Sequence, residues 1–172
     1  MAFNYGSHQQ RLEDTLRSDP SNAQIAFELA TIYCKSGQLD KCLKAMAYVV
    51  SIEPSYSTLC AQYLHSYGYP ISEEELKEEA INEVLEMTDA AVASFYYDRL
   101  RLPDLHDINR ILKREPFNSF KNPYTGNSIY LSDPKGGEVM IEISEAGIEI
   151  TGFKRTDGKK MPLKTLRYKY RR

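Results

Sequence analysis

No stretch of this 172-residue chain is apolar for long enough to span a membrane, and its opening, MAFNYGSHQQRLED, has no run of signal-peptide length. Secretion by a standard signal is therefore not expected, and a cytoplasmic location is. Cysteine is scarce: Cys34, Cys42 and Cys60 form no CxxC pair. An odd number of thiols on helix faces points to reduced, buried side chains rather than a disulfide framework. His8, His65 and His106 lie far apart, none with a second ligand at a spacing such as HxxxH, so no metal site is expected. The DPKGG segment at 133–137 lacks the Lys-Ser/Thr that carries a phosphate loop into a helix, and it reads as a hairpin turn. The acidic run 73–89 has neither a loop glycine nor EF-hand spacing, and it reads as a solvated helix face. No catalytic residue, metal-ligand set or cofactor motif emerges, so the chain is expected not to be an enzyme.

Excess charge of one sign is also missing, the formal net charge being −2. A hydrophobic fraction of 42% with 27% charged residues describes a soluble globular protein, long enough for one ordinary domain or two small ones. The charge is unevenly placed. Residues 154–172 hold nine basic side chains against the single Asp157.

What is present centres on residues 23–54, which read as two antiparallel helices joined by a tight turn. Leu29 and Tyr33 stand four apart on the first helix beside the small Ala26 and Ala30, and Ser36-Gly37 supplies the stop. Cys42, Met46 and Val49 recur at helical spacing, and Pro54 closes the unit. Before it, residues 9–18 form a helix with Leu12 and Leu16 on one face; after it, 58–67 form another with Tyr63, Leu64 and Tyr67. Pro20 and Pro54 are 34 residues apart.

This pattern resembles a tetratricopeptide repeat, whose period is 34 residues. Counting from Ala23, the residues Leu29, Ala30, Tyr33, Gly37, Cys42, Met46, Val49 and Pro54 fall on signature positions, and Ala26 stands in the place of the family's tryptophan. The resemblance implies a short helical array with a concave, peptide-binding groove. It places Gln24, Phe27, Thr31, Cys34 and Lys35 in that groove, with Thr58, Ala61 and His65 from the next helix. Phe27 would be an exposed apolar anchor for a partner helix or extended peptide, or else it packs on the neighbouring repeat. Cys42 takes a small buried position.

The helix that follows is opened by a capping box, Ser72 with Glu75. Leu76, Ala80, Val84, Ala91 and Phe95 then keep one stripe, so a single helix over 73–101 is expected, with Thr88-Asp89 as the only interruption and a break there as the competing reading. Leu76 to Leu85 would face the repeats, and the second half of the helix would face the sheet. Asp104 caps a short helix that ends before Pro116. From there the period changes to two. Segments 128–132, 138–144 and 147–153 read as a three-stranded antiparallel meander, and 163–170 as a candidate fourth strand.

The order helix, short helix, Asn122-Pro123-Tyr124-Thr125-Gly126, hairpin and Asp157-Gly158 turn resembles the soluble head of type IV pilins and of type II secretion pseudopilins. The hydrophobic amino-terminal helix of that family has no counterpart here, so only the head architecture is implied. The expected fold is thus α+β, with a helical domain over 1–87 and an α+β domain over 88–172 that share the long helix. The expected function is non-enzymatic: an adaptor or scaffold binding a protein or peptide partner. The alternative is a nucleic-acid-associated protein, in which Arg167, Lys169, Arg171 and Arg172 neutralise phosphates while Tyr168 and Tyr170 stack on bases. An edge strand protected by its charges fits the same tail, and fits it better.

Overall fold

The computed structural model describes residues 5–130 and 137–170. They form an α+β fold. Its helices are α1 (Tyr5–Ser18), α2 (Ala23–Lys35), α3 (Leu39–Ile52), α4 (Ser57–Ser66), α5 (Glu73–Arg99) and α6 (Leu105–Leu112). The strands β1 (Val139–Ser144), β2 (Gly147–Thr156) and β3 (Lys159–Lys169) follow, ordered β1-β2-β3 and antiparallel throughout.

Local chemistry sets the helix boundaries. The Asn22 side chain accepts from the Ile25 amide (3.1 Å) at the start of α2, and Ser72 does the same for Glu75 (3.1 Å) at the start of α5. Asp104 and Asp107 form a reciprocal capping box at α6, and Asp107 also binds Arg101 at 2.7 Å. These charge-assisted bonds, first the one from Arg101, hold the Asp107 carboxyl well below its ordinary range.

Helix α5 runs unbroken for 27 residues and ends where Leu100 takes a left-handed conformation (φ 57°). Thr88 does not interrupt it. The threonine is buried, donates to the Val84 carbonyl (2.7 Å) and meets the Tyr130 hydroxyl at 3.1 Å, so its polar group is satisfied inside the core.

Two cores form along α5. Leu76 and Ala80 join Ala26, Ala30, Met46, Val49 and Leu64 in the helical one. Ile81, Val84, Leu85 and Val92 join Phe120, Ile129, Ile148 and Ile150 in the other. The middle of the helix covers the sheet, a correction to the expectation for its second half. Tyr97 and Leu100 near the end of α5 are 77% and 82% exposed.

The sheet also departs from expectation at its edges. Residues 128–130 contribute isolated bridges, Lys121 with Ser128 and Tyr130 with Val139, not a strand. Positions 131–136, which include the rest of that expected strand and most of the DPKGG turn, lie outside the described residues. The third strand is instead β3, which absorbs 163–169 of the expected fourth. Asp157-Gly158, both at positive φ (52° and 74°), make the two-residue turn into it. Pairing Ile148 with Tyr168 and Ile150 with Leu166 puts one apolar face toward α5.

Beside the sheet, Asn122 turns its loop by accepting from the Tyr124 amide (2.9 Å). Its Nδ2 donates to Oε1 of the fully buried Glu138 (2.9 Å), which also accepts from Nε and Nη2 of Arg155 (3.0 and 2.9 Å).

The cysteines require a correction. Cys34 and Cys42 are both buried and form a disulfide across the α2–α3 turn, while Cys60 is free and buried. Burial alone pushes the Cys60 thiol up to about 12. The expectation of three reduced thiols is therefore overturned.

Candidate functional site

The expected groove residues divide into separate places. Thr58, Ala61 and His65 do come together, lining a shallow pocket of about 310 Å3 with Gln62, Ile71 and Glu73. The α2 residues do not line it. Gln24 and Lys35 are exposed near opposite ends of α2, and the Thr31 hydroxyl donates to the Glu28 carbonyl (2.6 Å). Phe27 is half-buried, its ring edge-on to Tyr63 (centroids 5.8 Å apart) and tilted against Tyr56 (5.7 Å). It packs on the neighbouring helix and is not a free anchor. Cys34 is closed off by burial and by its bond to Cys42.

A larger cleft, about 650 Å3, opens elsewhere on the helical half. Helices α1 and α3 flank α2, and α5 closes the end. Leu16, Ala26, Leu29 and Ala45 give the cleft an apolar floor, and Tyr48 and Met87 extend it. Arg17, Lys41, Lys44, Glu13 and Glu83 make its rim.

The polar groups of this cleft are fixed in place. The Tyr33 hydroxyl donates to Glu13 (2.8 Å) across from α2 to α1, and Lys41 sits 5.7 Å over the Tyr33 ring. Burial, reinforced by the Glu13 carboxylate, pushes the Tyr33 hydroxyl up to about 12. Tyr48 donates to the Pro20 carbonyl (2.6 Å); burial and then the charges of Glu115 and Glu83 raise its pKa as well. Lys44 pairs with Glu86 at 3.2 Å, which raises its pKa. Burial raises the Glu83 carboxyl, and Lys44 partly offsets that. Sequence periodicity marks Leu16, Leu29 and Tyr33 as packing residues, but nothing in it announces a cleft, because Glu83 and Met87 reach the site only through the path of α5 beside α3.

The basic tail is ordered as far as described. Arg167 pairs with Glu149 on β2, and Tyr168 is half-buried with its hydroxyl donating to Asp89 on α5. Burial first, then that bond, raises the Tyr168 pKa. Lys169 pairs in register with Gly147. Arg171 and Arg172 lie outside the described residues. Among the described residues no group of three or more His, Cys, Asp or Glu side chains is arranged to hold a metal ion, and no helix is long and apolar enough to cross a membrane.

Compared with family models, curated proteins and solved structures, the chain matches none.

Proposed function

We propose that this chain is a non-enzymatic protein-interaction module, of the tetratricopeptide kind in its helical half, that takes an amphipathic helix of a partner protein into the cleft between α1 and α3. The observation that carries this reading is the 650 Å3 cleft itself, with apolar side chains on its floor and charges at its rim. A helix presents apolar residues at i, i+3, i+4 and i+7, and such a stripe fits a groove with an apolar floor and charged walls. The cleft also differs from the groove that the repeat pattern implies, since it lies over α2 on the side flanked by α1 and α3.

Peptide display gives the test. Selection on the folded chain is expected to enrich sequences with helical apolar spacing, and their binding is expected to be lost in Ala45→Arg, which fills the cleft from a half-buried position. Ligands indifferent to Ala45→Arg, in a variant whose circular dichroism is unchanged, would sink the proposal.

A further inference from the structure

Strand β3 pairs with β2 along one side, and among the described residues no strand covers its other side. The Tyr170 amide donates to the Ala146 carbonyl (3.2 Å), which fixes the alternation of the antiparallel ladder. Tyr168 and Leu166 therefore direct their backbone groups at β2, and Thr165, Arg167 and Lys169 turn theirs to the free edge. Pro162, which has no amide hydrogen, sits early in the strand, so the open stretch is the later one, from 163 onward.

Two further features converge on that stretch. Beside it a cleft of about 710 Å3 is lined by Tyr96 and Tyr97 at the end of α5, by Leu100 and Leu102 just after it, and by Tyr168 and Tyr170 from the strand side. On the opposite face of the strand stand two cations, Arg167 and Lys169, while Lys164, paired with Gly152, lies on the same face as Leu166 and Tyr168. Among the described residues only Arg167 of these three has a carboxylate partner.

We infer that β3 is a docking edge for an extended, acidic peptide segment of a partner protein, which adds to the sheet as a fourth strand. Main-chain hydrogen bonds to Thr165, Arg167 and Lys169 supply affinity, and alternation along the added strand supplies specificity. Its apolar or aromatic residues enter the tyrosine-lined cleft on one face, while its acidic residues meet Arg167 and Lys169 on the other. Charge decides between occupants. A second copy of this chain would bring β3 against β3 and set like charges opposite one another, which is destabilising. An acidic strand turns that same deterrent into attraction. The site is separate from the α1–α3 cleft, so it stands or falls independently of the function proposed above.

The test uses the full chain and fluorescein-labelled peptides that alternate glutamate with valine and tyrosine. Saturable binding is expected, weakening with salt and falling roughly tenfold or more in the Arg167→Gln, Lys169→Glu double variant. A control peptide with N-methylated backbone on the pairing side should not bind. Hydrogen exchange at the Arg167 and Lys169 amides should slow in the complex. Three results would overturn the inference: equal binding of the lysine-for-glutamate peptide, binding without slowed exchange at those amides, or no saturable binding to the wild-type chain. Equal-affinity binding of a single-stranded oligonucleotide without amide protection would instead assign the surface to a polyanion.

Discussion

Substituting Gly147 by alanine probes the join between β2 and β3 more sharply than any other single change. Gly147 lies at φ 149°, and a Cβ built there would meet the Tyr168 carbonyl oxygen at 1.8 Å and its carbon at 2.8 Å. A carbon–oxygen contact needs roughly 3.3 Å, so one strand must retreat by about 1.5 Å. The obstacle is backbone and cannot rotate away. Relief therefore lifts residues 168–170, with loss of the Tyr170–Ala146 hydrogen bond and the Tyr168–Asp89 contact. Two hydrogen bonds at about 1 kcal/mol each, added to 1–3 kcal/mol for the backbone conformation, give an expected loss of about 3–5 kcal/mol.

The matched control is Gly158→Ala. Gly158 also has positive φ (74°), but nothing lies within 4 Å of its would-be Cβ, so only the conformational cost of about 1–2 kcal/mol applies. Urea midpoints at constant m-value give both numbers. Hydrogen exchange should show Gly147→Ala opening the end of β3 selectively. Equal costs for the two variants would mean that the clash at Gly147 adds nothing to the positive φ that both glycines share.

Other changes test other parts of the molecule. Arg155→Ala leaves the Glu138 carboxylate fully buried without its cation and should cost about 3–5 kcal/mol in chemical denaturation, with part recovered in the double variant with Glu138→Gln; a cost below 1 kcal/mol would mean that the pair is solvated. Burial raises the Glu83 pKa, so its contribution is present below the unfolded carboxyl pKa of about 4.3 and is lost as pH rises through the higher folded value. Glu83→Gln should accordingly raise Tm at neutral pH, with the gain vanishing below about pH 4; a lower Tm at pH 7 would show that the attraction to Lys44 outweighs burial. Without reductant, the folded chain should resist alkylation and the unfolded chain should take up one label, at Cys60, by mass spectrometry. Three labels would mean that Cys34 and Cys42 are not bonded.

The long helix was legible because its stripe survives Thr88, and the sequence could not tell that a buried Tyr130 hydroxyl waits there for the threonine. The capping residues Asn22, Ser72 and Asp104 were equally readable, since a cap is local chemistry. The repeat register puts Cys34 in the groove, although its spacing holds a better signal. Ala26, Ala30 and Cys34 recur every four residues on one face, and the first two are core. The turn then brings Cys42 back alongside, which is a relation between helices and not within one. Phe27 was ambiguous for the same reason: Tyr56 and Tyr63 reach it only once α4 has folded against α2. Residues 128–130 carry strand-like composition yet make only bridges, because pairing depends on a neighbour and not on propensity alone.

The two cores also share walls in a way that bears on where the chain can be divided. Tyr48 packs against both, its ring edge-on to Phe120 (centroids 6.0 Å apart) and its hydroxyl bound to Pro20. The Lys121 amide donates to the Ser51 carbonyl (2.7 Å), and Ser21 donates to Ser119 (2.8 Å), so the loop after α6 is stitched to the helical array by hydrogen bonds. Cutting after residue 87 would leave Ile81, Val84 and Leu85, all fully buried, without the sheet that covers them. At about 1.5–3 kcal/mol for each exposed side chain, roughly 5–9 kcal/mol would be lost, comparable to the whole stability of an ordinary domain. The helical half is thus not expected to stand as a stable fragment ending there. A ligand that binds the α1–α3 cleft, into which Tyr48 and Met87 project, presses on residues that also pack against the sheet's core.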